Sequence, residues 1–197
     1  MMKRKSWVIP GMVLVVFYTL FLAAGCGSSG LSVKLDYGKY VPDLKAELSD
    51  YSGKSMTLLN MVNDAENSAM WGYYSPDGKM SYVTDWPETY FWYMFQRAIL
   101  SAGTTVFTED NRNPNSPAVL ITLKSLSSEA YTFKVDVGKG ISPAAFTKDF
   151  TIKGPPISEG EPNLEQLENR AYEMTSMAVL AIFQDPEFKA AFMAASE

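Results

Sequence analysis

The sequence predicts an α+β protein: a two-layer sandwich in which a mostly antiparallel or mixed sheet is covered by two long helices and a short C-terminal helix. Three observations carry that expectation. Short segments of alternating or β-branched apolar residues recur between positions 31 and 152, the period of half-buried strands. Two long runs, beginning near 85 and 163, set apolar residues three and four apart, the period of a helix with one buried face. The resulting order is β, β, β-hairpin, α, β, β-hairpin, β, α, α, in which each amphipathic helix has a sheet to cover. The pattern does not choose a strand order.

Taken in sequence, Leu31, Val33 and Leu35 alternate with Ser32 and Lys34, as in a strand. Residues 41–51 are open to either a short helical turn or an irregular loop. Residues 55–62 (SMTLLNMV) are apolar on both parities apart from Asn60 and read as one fully buried strand. A hairpin follows, with Trp71, Tyr73 and Tyr74 on one arm, Met80, Tyr82 and Val83 on the other, and SPDGK at 75–79 between them. Pro76 presets φ, and Gly78 supplies a conformation with positive φ.

The first long helix starts at Asp85-Trp86-Pro87-Glu88, where Asp85 is placed to cap and Glu88 to close a capping box. It ends near Gly103, a helix-stopping residue. Phe91, Met94, Phe95, Ala98 and Ile99 form its buried stripe. Tyr90, Trp92, Tyr93 and Leu100 widen that stripe beyond what one surface helix needs, so another element or a partner must cover part of it.

Strands are expected at 104–108, 118–123, 131–137 and 146–152, with Lys124, Lys134 and Asp136 marking exposed positions. The second long helix is capped by Asn163, and Leu167, Ala171, Met174, Ala178 and Ala181 form its buried face. Asp185-Pro186 caps a terminal helix that buries Phe188 and Phe192.

The first 25 residues differ from the rest. Lys3, Arg4 and Lys5 precede an uncharged, apolar run from 6 to 24 that ends in Leu22-Ala23-Ala24-Gly25-Cys26. A basic start, an apolar centre and small residues form an export signal. LAAGC resembles a bacterial lipobox, which implies cleavage after Gly25 and lipid on Cys26, with Ala23 standing where leucine is usual. The competing readings are an uncleaved anchor, since the run approaches the length that crosses about 30 Å of hydrocarbon, and a plain secreted protein. A lone cysteine in an exported chain has no intramolecular partner, and acylation gives it a role.

The expected layout is a signal peptide at 1–25, a lipidated cysteine and flexible tether at 26–30, and a single periplasm-facing domain at 31–197. Gly27 rather than Asp after the cysteine points, in a Gram-negative host, to the periplasmic face of the outer membrane. Removing Lys3, Arg4 and Lys5 with the signal leaves 14 basic and 22 acidic side chains. That balance excludes a nucleic-acid footprint, and attachment to the membrane falls to the lipid.

With no His and one Cys among 197 residues, histidine proton transfer, disulfide frameworks and cysteine or histidine zinc sites are excluded. The carboxylate pairs Asp64 with Glu66 and Asp85 with Glu88 have simpler readings as a strand exit and a helix cap than as a glycosidase pair. Ser101 and Ser142 lack a base and a nucleophile elbow. Gly138 and Gly140 lack the rest of a phosphate loop, and residues 110–115 lack the glycine and glutamate of a calcium loop. No catalytic residue, metal or cofactor is expected.

What remains is an aromatic surplus. Trp71, Tyr74, Trp86, Tyr90, Trp92 and Tyr93 are candidates for a partner surface, because Tyr and Trp bury large areas at low entropy cost; filling of the space between hairpin and helix is the competing reading.

With these segments in place, most of residues 31–192 resembles the lipoproteins of the YajG-like and ABC-transport auxiliary types. The resemblance lies in the lipobox at Cys26, SMTLLNMVND at 55–64, the hairpin, AILSAGTTVF at 98–107, the strand pair from 118 and the final helices with their Asp185-Pro186 break. It implies an envelope accessory domain and transfers no catalytic residue. The expected function is therefore a non-enzymatic, membrane-anchored lipoprotein that binds another envelope protein. The alternative is a module for a lipid or small apolar ligand, held in a pocket lined by Phe91, Phe95, Tyr172 and Met174.

Overall fold

The computed structural model describes residues 32–65, 70–75, 78–83, 86–127, 129–140, 143–156 and 163–197, and only the backbone at 32, 70–75 and 78–83. All of them belong to one compact unit, Leu31–Glu197. The strands are β1 (Ser32–Lys34), β2 (Ser55–Leu58), β3 (Val62–Asn63), β4 (Met70–Ser75), β5 (Gly78–Val83), β6 (Thr105–Phe107), β7 (Ala118–Leu126), β8 (Ala130–Gly138) and β9 (Phe146–Lys153). The helices are α1 (Pro87–Ser101), α2 (Leu164–Phe183) and α3 (Pro186–Ala195).

The larger sheet is mixed. Its order is β6-β2-β7-β8-β9, with β3 also pairing β7. β2 and β3 run parallel to their neighbours, and β7, β8 and β9 form an antiparallel meander. Alternation decides which face is covered: Tyr131, Phe133, Val135 and Val137 of β8 are buried against the helices together with Phe150 and Ile152 of β9. On the opposite face Lys134 stands beside Asp149 and Thr132 beside Thr151. Helices on one face of this sheet make the α+β sandwich that the sequence pattern implies.

The core is one cluster organised by rings. Phe91 of α1 meets Tyr131 and Phe133 edge-on at 5.3 and 5.1 Å, and Phe183 of α2 meets Phe188 of α3 at 4.9 Å. Edge-to-face pairs of this kind add about 0.5–1.5 kcal/mol each beyond the area they bury.

Residues 55–62 do not form a single strand. Leu58 pairs with Val119 and Val62 with Thr122, so the chain has one more residue than its partner over this step and bulges at 59–61. Apolar character on both parities therefore reflects a break between two short parallel strands, with Met61 turned back into the core. The hairpin is present, with Trp71 opposite Tyr82 and Tyr73 opposite Met80; Pro76 and Asp77 of its turn lie outside the described residues. It belongs to a separate three-stranded sheet, β1-β5-β4, in which β1 and β5 are parallel.

The ends of α1 divide in their agreement with the sequence. Its C-terminus is a Schellman turn: the amides of Gly103 and Thr104 donate to Leu100 and Ile99, and Gly103 takes φ +87°, where a side chain is disfavoured. Its N-cap is Trp86 with no side-chain capping bond. Glu88 accepts from Asn63 Nδ2 at 2.8 Å; Asp85, the other member of the expected capping box, lies outside the described residues.

On α2, Asn163 and Gln166 form a reciprocal capping box. Leu167, Ala171, Met174 and Ala178 are buried, whereas Ala181 is exposed and Ile182 takes its place. A strict four-three repeat drifts by about 20° per heptad on a straight helix, which carries Ala181 off the buried face. Asp185 caps α3, accepting from the amides of Glu187 and Phe188 at 3.1 and 2.9 Å. Asp136, expected to be exposed, is buried, accepting from Thr147 Oγ1 at 2.6 Å and facing Lys134 at 3.1 Å.

Candidate aromatic binding surface

Two neighbouring elements build an aromatic surface: the segment leaving β1 and the first turns of α1. Tyr37 lies flat on Tyr93, with centroids 4.6 Å apart and planes at 16°. Trp92 meets Tyr93 edge-on at 5.1 Å, so three rings form a continuous ladder. The Arg97 guanidinium lies 5.8 Å above the Tyr37 ring and also donates to the Tyr37 carbonyl. A cation over a tyrosine face and a backbone anchor together hold this segment against the helix.

Beside the ladder a cleft of about 180 Å³ lies between Lys34, Asp36 and Tyr37 on one wall and Trp86 and Thr89 on the other, with Tyr90 among its lining residues. Trp86 is 63% exposed and Tyr37 40%. The two exposed rings thus line one cleft rather than standing apart on the surface.

The six aromatic residues singled out by sequence thus separate. Trp86 is exposed, and Tyr93 and Trp92 are half-buried members of the ladder. Trp92 also has a structural duty, donating from Nε1 to the Leu59 carbonyl at 3.0 Å. Tyr90 is not a surface residue: it is 1% exposed and its hydroxyl pairs with Thr175 Oγ1 at 3.2 Å. α1 is covered by α2 along that line, which accounts for part of its wide apolar stripe. Trp71 and Tyr74 are placed by backbone on β4, and their side chains, like Cys26, lie outside the described residues.

Tyr37 and Arg97 escaped the sequence reading. The signal available for Tyr37 was the pair of tyrosines in DYGKY at 36–40. Tyr40, the other member, stacks on Tyr172 at 4.6 Å and hydrogen-bonds Ser176 at 2.6 Å, tying the same segment to α2. Burial, with the Glu168 carboxylate beside it, pushes the Tyr172 phenol up to about 12, against the lowering effect of its bond to the Asp36 backbone.

The carboxylates considered for catalysis have structural partners. Asp64 pairs with Lys124 at 2.9 Å and Glu88 with Asn63; Glu66 and Asp85 lie outside the described residues. Ser101 Oγ donates to the Ala98 carbonyl at 2.7 Å, closing its helix, and Ser142 lies outside the described residues. Among the described residues no cluster of Asp, Glu, Cys or His has the composition to hold a metal ion, and no helix is long and apolar enough to cross a membrane.

No protein-family model and no curated protein matches the chain. Among solved structures, the crystal structure of an uncharacterized protein is similar at a TM-score of 0.46 and 6% sequence identity, over 80% of this chain and 99% of that one.

Proposed function

We propose that this chain is a non-enzymatic lipoprotein of the bacterial cell envelope, anchored through Cys26, that binds another envelope protein through the surface of Tyr37, Trp86, Trp92 and Tyr93. The observation that carries the binding role is the ring ladder beside the exposed Trp86. Stacking immobilises Tyr37 and Tyr93 before any partner arrives, so docking there loses less side-chain entropy than it would on free rings. The anchoring role rests on Lys3, Arg4, Lys5, the apolar run and LAAGC at 22–26, and the placement at the periplasmic face of the outer membrane on Gly27.

Protein binding is favoured over the apolar-ligand alternative by the packing at the four side chains that would line such a pocket. Phe91, Phe95 and Met174 are fully buried and Tyr172 nearly so, and Phe95 touches Phe133 and Phe183 at 5.8 and 6.4 Å. The test is a photoreactive amino acid at position 86 in cells, followed by mass spectrometry of the adducts. A reproducible envelope protein that is lost in the Tyr37→Ala background is expected. Adducts identical to those from a probe at exposed Glu109 would remove the surface from consideration, and lipid alone at position 86 would favour the alternative.

A further inference from the structure

We propose that two copies of this chain pair antiparallel through β4, about a two-fold axis at Gly72, so that the small sheet continues as β1-β5-β4-β4-β5-β1 across the pair.

The argument starts from the sheet edges. An outer strand presents a row of unpaired amides and carbonyls, and proteins blunt such rows by shortening the strand or charging it. β1 and β6 are outer strands of three residues each. β9 is long but carries Lys148, Asp149 and Lys153, and Lys148 is engaged by Asp185 and Glu187. β4 is also outermost, with β5 as its strand neighbour among the described residues. It is six residues long, MWGYYS, and holds no charge and no proline. Neither protecting device is present.

Its sequence is also self-complementary. A two-fold axis normal to the sheet keeps each face on its own side, so residues of the same parity oppose one another. Centring the axis on Gly72 puts Trp71 opposite the second copy's Tyr73 on one face and Met70 opposite its Tyr74 on the other, each pair occurring twice. The residue that meets its own copy on the axis is the one without a side chain. With the β5 register, one cross-strand row reads Tyr82, Trp71, Tyr73, Met80 from one copy into the next. Aromatic and thioether-aromatic pairs directly opposite are favourable cross-strand neighbours, and this register brings no like charges together. The pairing gives Trp71 and Tyr74 a role separate from the ladder around Trp86, and it does not depend on the state of Cys26.

The test uses the full chain in membranes. Copper-catalysed oxidation of Gly72→Cys is expected to give a disulfide-linked dimer on non-reducing gels, absent from the parent chain, which contains Cys26 alone, and from Thr151→Cys on β9. Detergent-solubilised parent protein should sediment as a dimer, and Tyr73→Lys should weaken that dimer about tenfold or more, because it removes both Trp71 pairs. Should Tyr73→Lys lose its far-UV circular dichroism, the crosslink decides alone. A parent chain that sediments as a monomer, or crosslinks that form equally at positions 72 and 151, overturns the proposal.

Discussion

Trp92 reaches from α1 to the bulge between β2 and β3, its indole N–H donating to the Leu59 carbonyl at 3.0 Å. The extra residue at 59–61 leaves that carbonyl outside the regular ladder, and the indole satisfies it. One side chain therefore fixes the chain's exit from the sheet and forms one end of the aromatic ladder. Trp92→Phe should keep much of the ring packing and lose the hydrogen bond, costing about 1–2 kcal/mol in urea unfolding. Trp86→Phe, at an exposed position, should change stability by less than about 0.5 kcal/mol.

Tyr90 and Tyr93 separate core from surface on one helix. Tyr90→Phe removes the buried bond to Thr175 and should cost about 0.5–1.5 kcal/mol while leaving photo-adducts at position 86 unchanged. Tyr93→Ala should abolish those adducts, because Tyr37 loses the ring it lies on. Both are read by pairing denaturant curves with adduct yield.

Much of this fold was readable from sequence because local chemistry and tertiary packing agree. Asn163, Asp185 with Pro186, and Gly103 act at helix ends where the decisive partners are near neighbours in the chain. Disagreements arise where a distant residue wins. The register with Val119 and Thr122 breaks the run at 55–62 into two strands, and Asn63, 25 positions away, engages the Glu88 carboxylate. For Tyr37 the tyrosine pair at 36–40 was a visible signal, but its role depends on Tyr93 and Arg97, 56 and 60 positions away, and the segment has no periodicity of its own.

Asp185 makes acid stability a local question. Burial acts to raise its pKa, and the Lys148 ammonium at 2.6 Å with the amides of Phe188 and Glu187 outweighs burial and holds it below the ordinary carboxylate range. A depressed folded-state pKa gives stability that is present above about pH 4 and lost as pH falls through the folded value. Asp185→Asn keeps a capping oxygen and should flatten the acid limb of the urea midpoint between about pH 5 and 2.5. Asp185→Ala should in addition lose about 1 kcal/mol at neutral pH.

At the alkaline end the sign reverses. Burial pushes the Tyr172 phenol up to about 12 and raises those of Tyr51 and Tyr90 further. Raised folded-state values give stability that is complete below about pH 10, the unfolded phenol value, and that drains away as pH climbs towards the folded ones. Tyr172→Phe should shrink the fall in the unfolding midpoint between about pH 10 and 12, with the remainder owed to Tyr51 and Tyr90.

The mass of the intact protein isolated from its own membranes tests the anchor on which the envelope role rests. Loss of residues 1–25 with acyl chains on Cys26, and release of a Cys26→Ser variant from lipid processing, is the expected result. A mass that retains residues 1–25 with a free Cys26 thiol would contradict it.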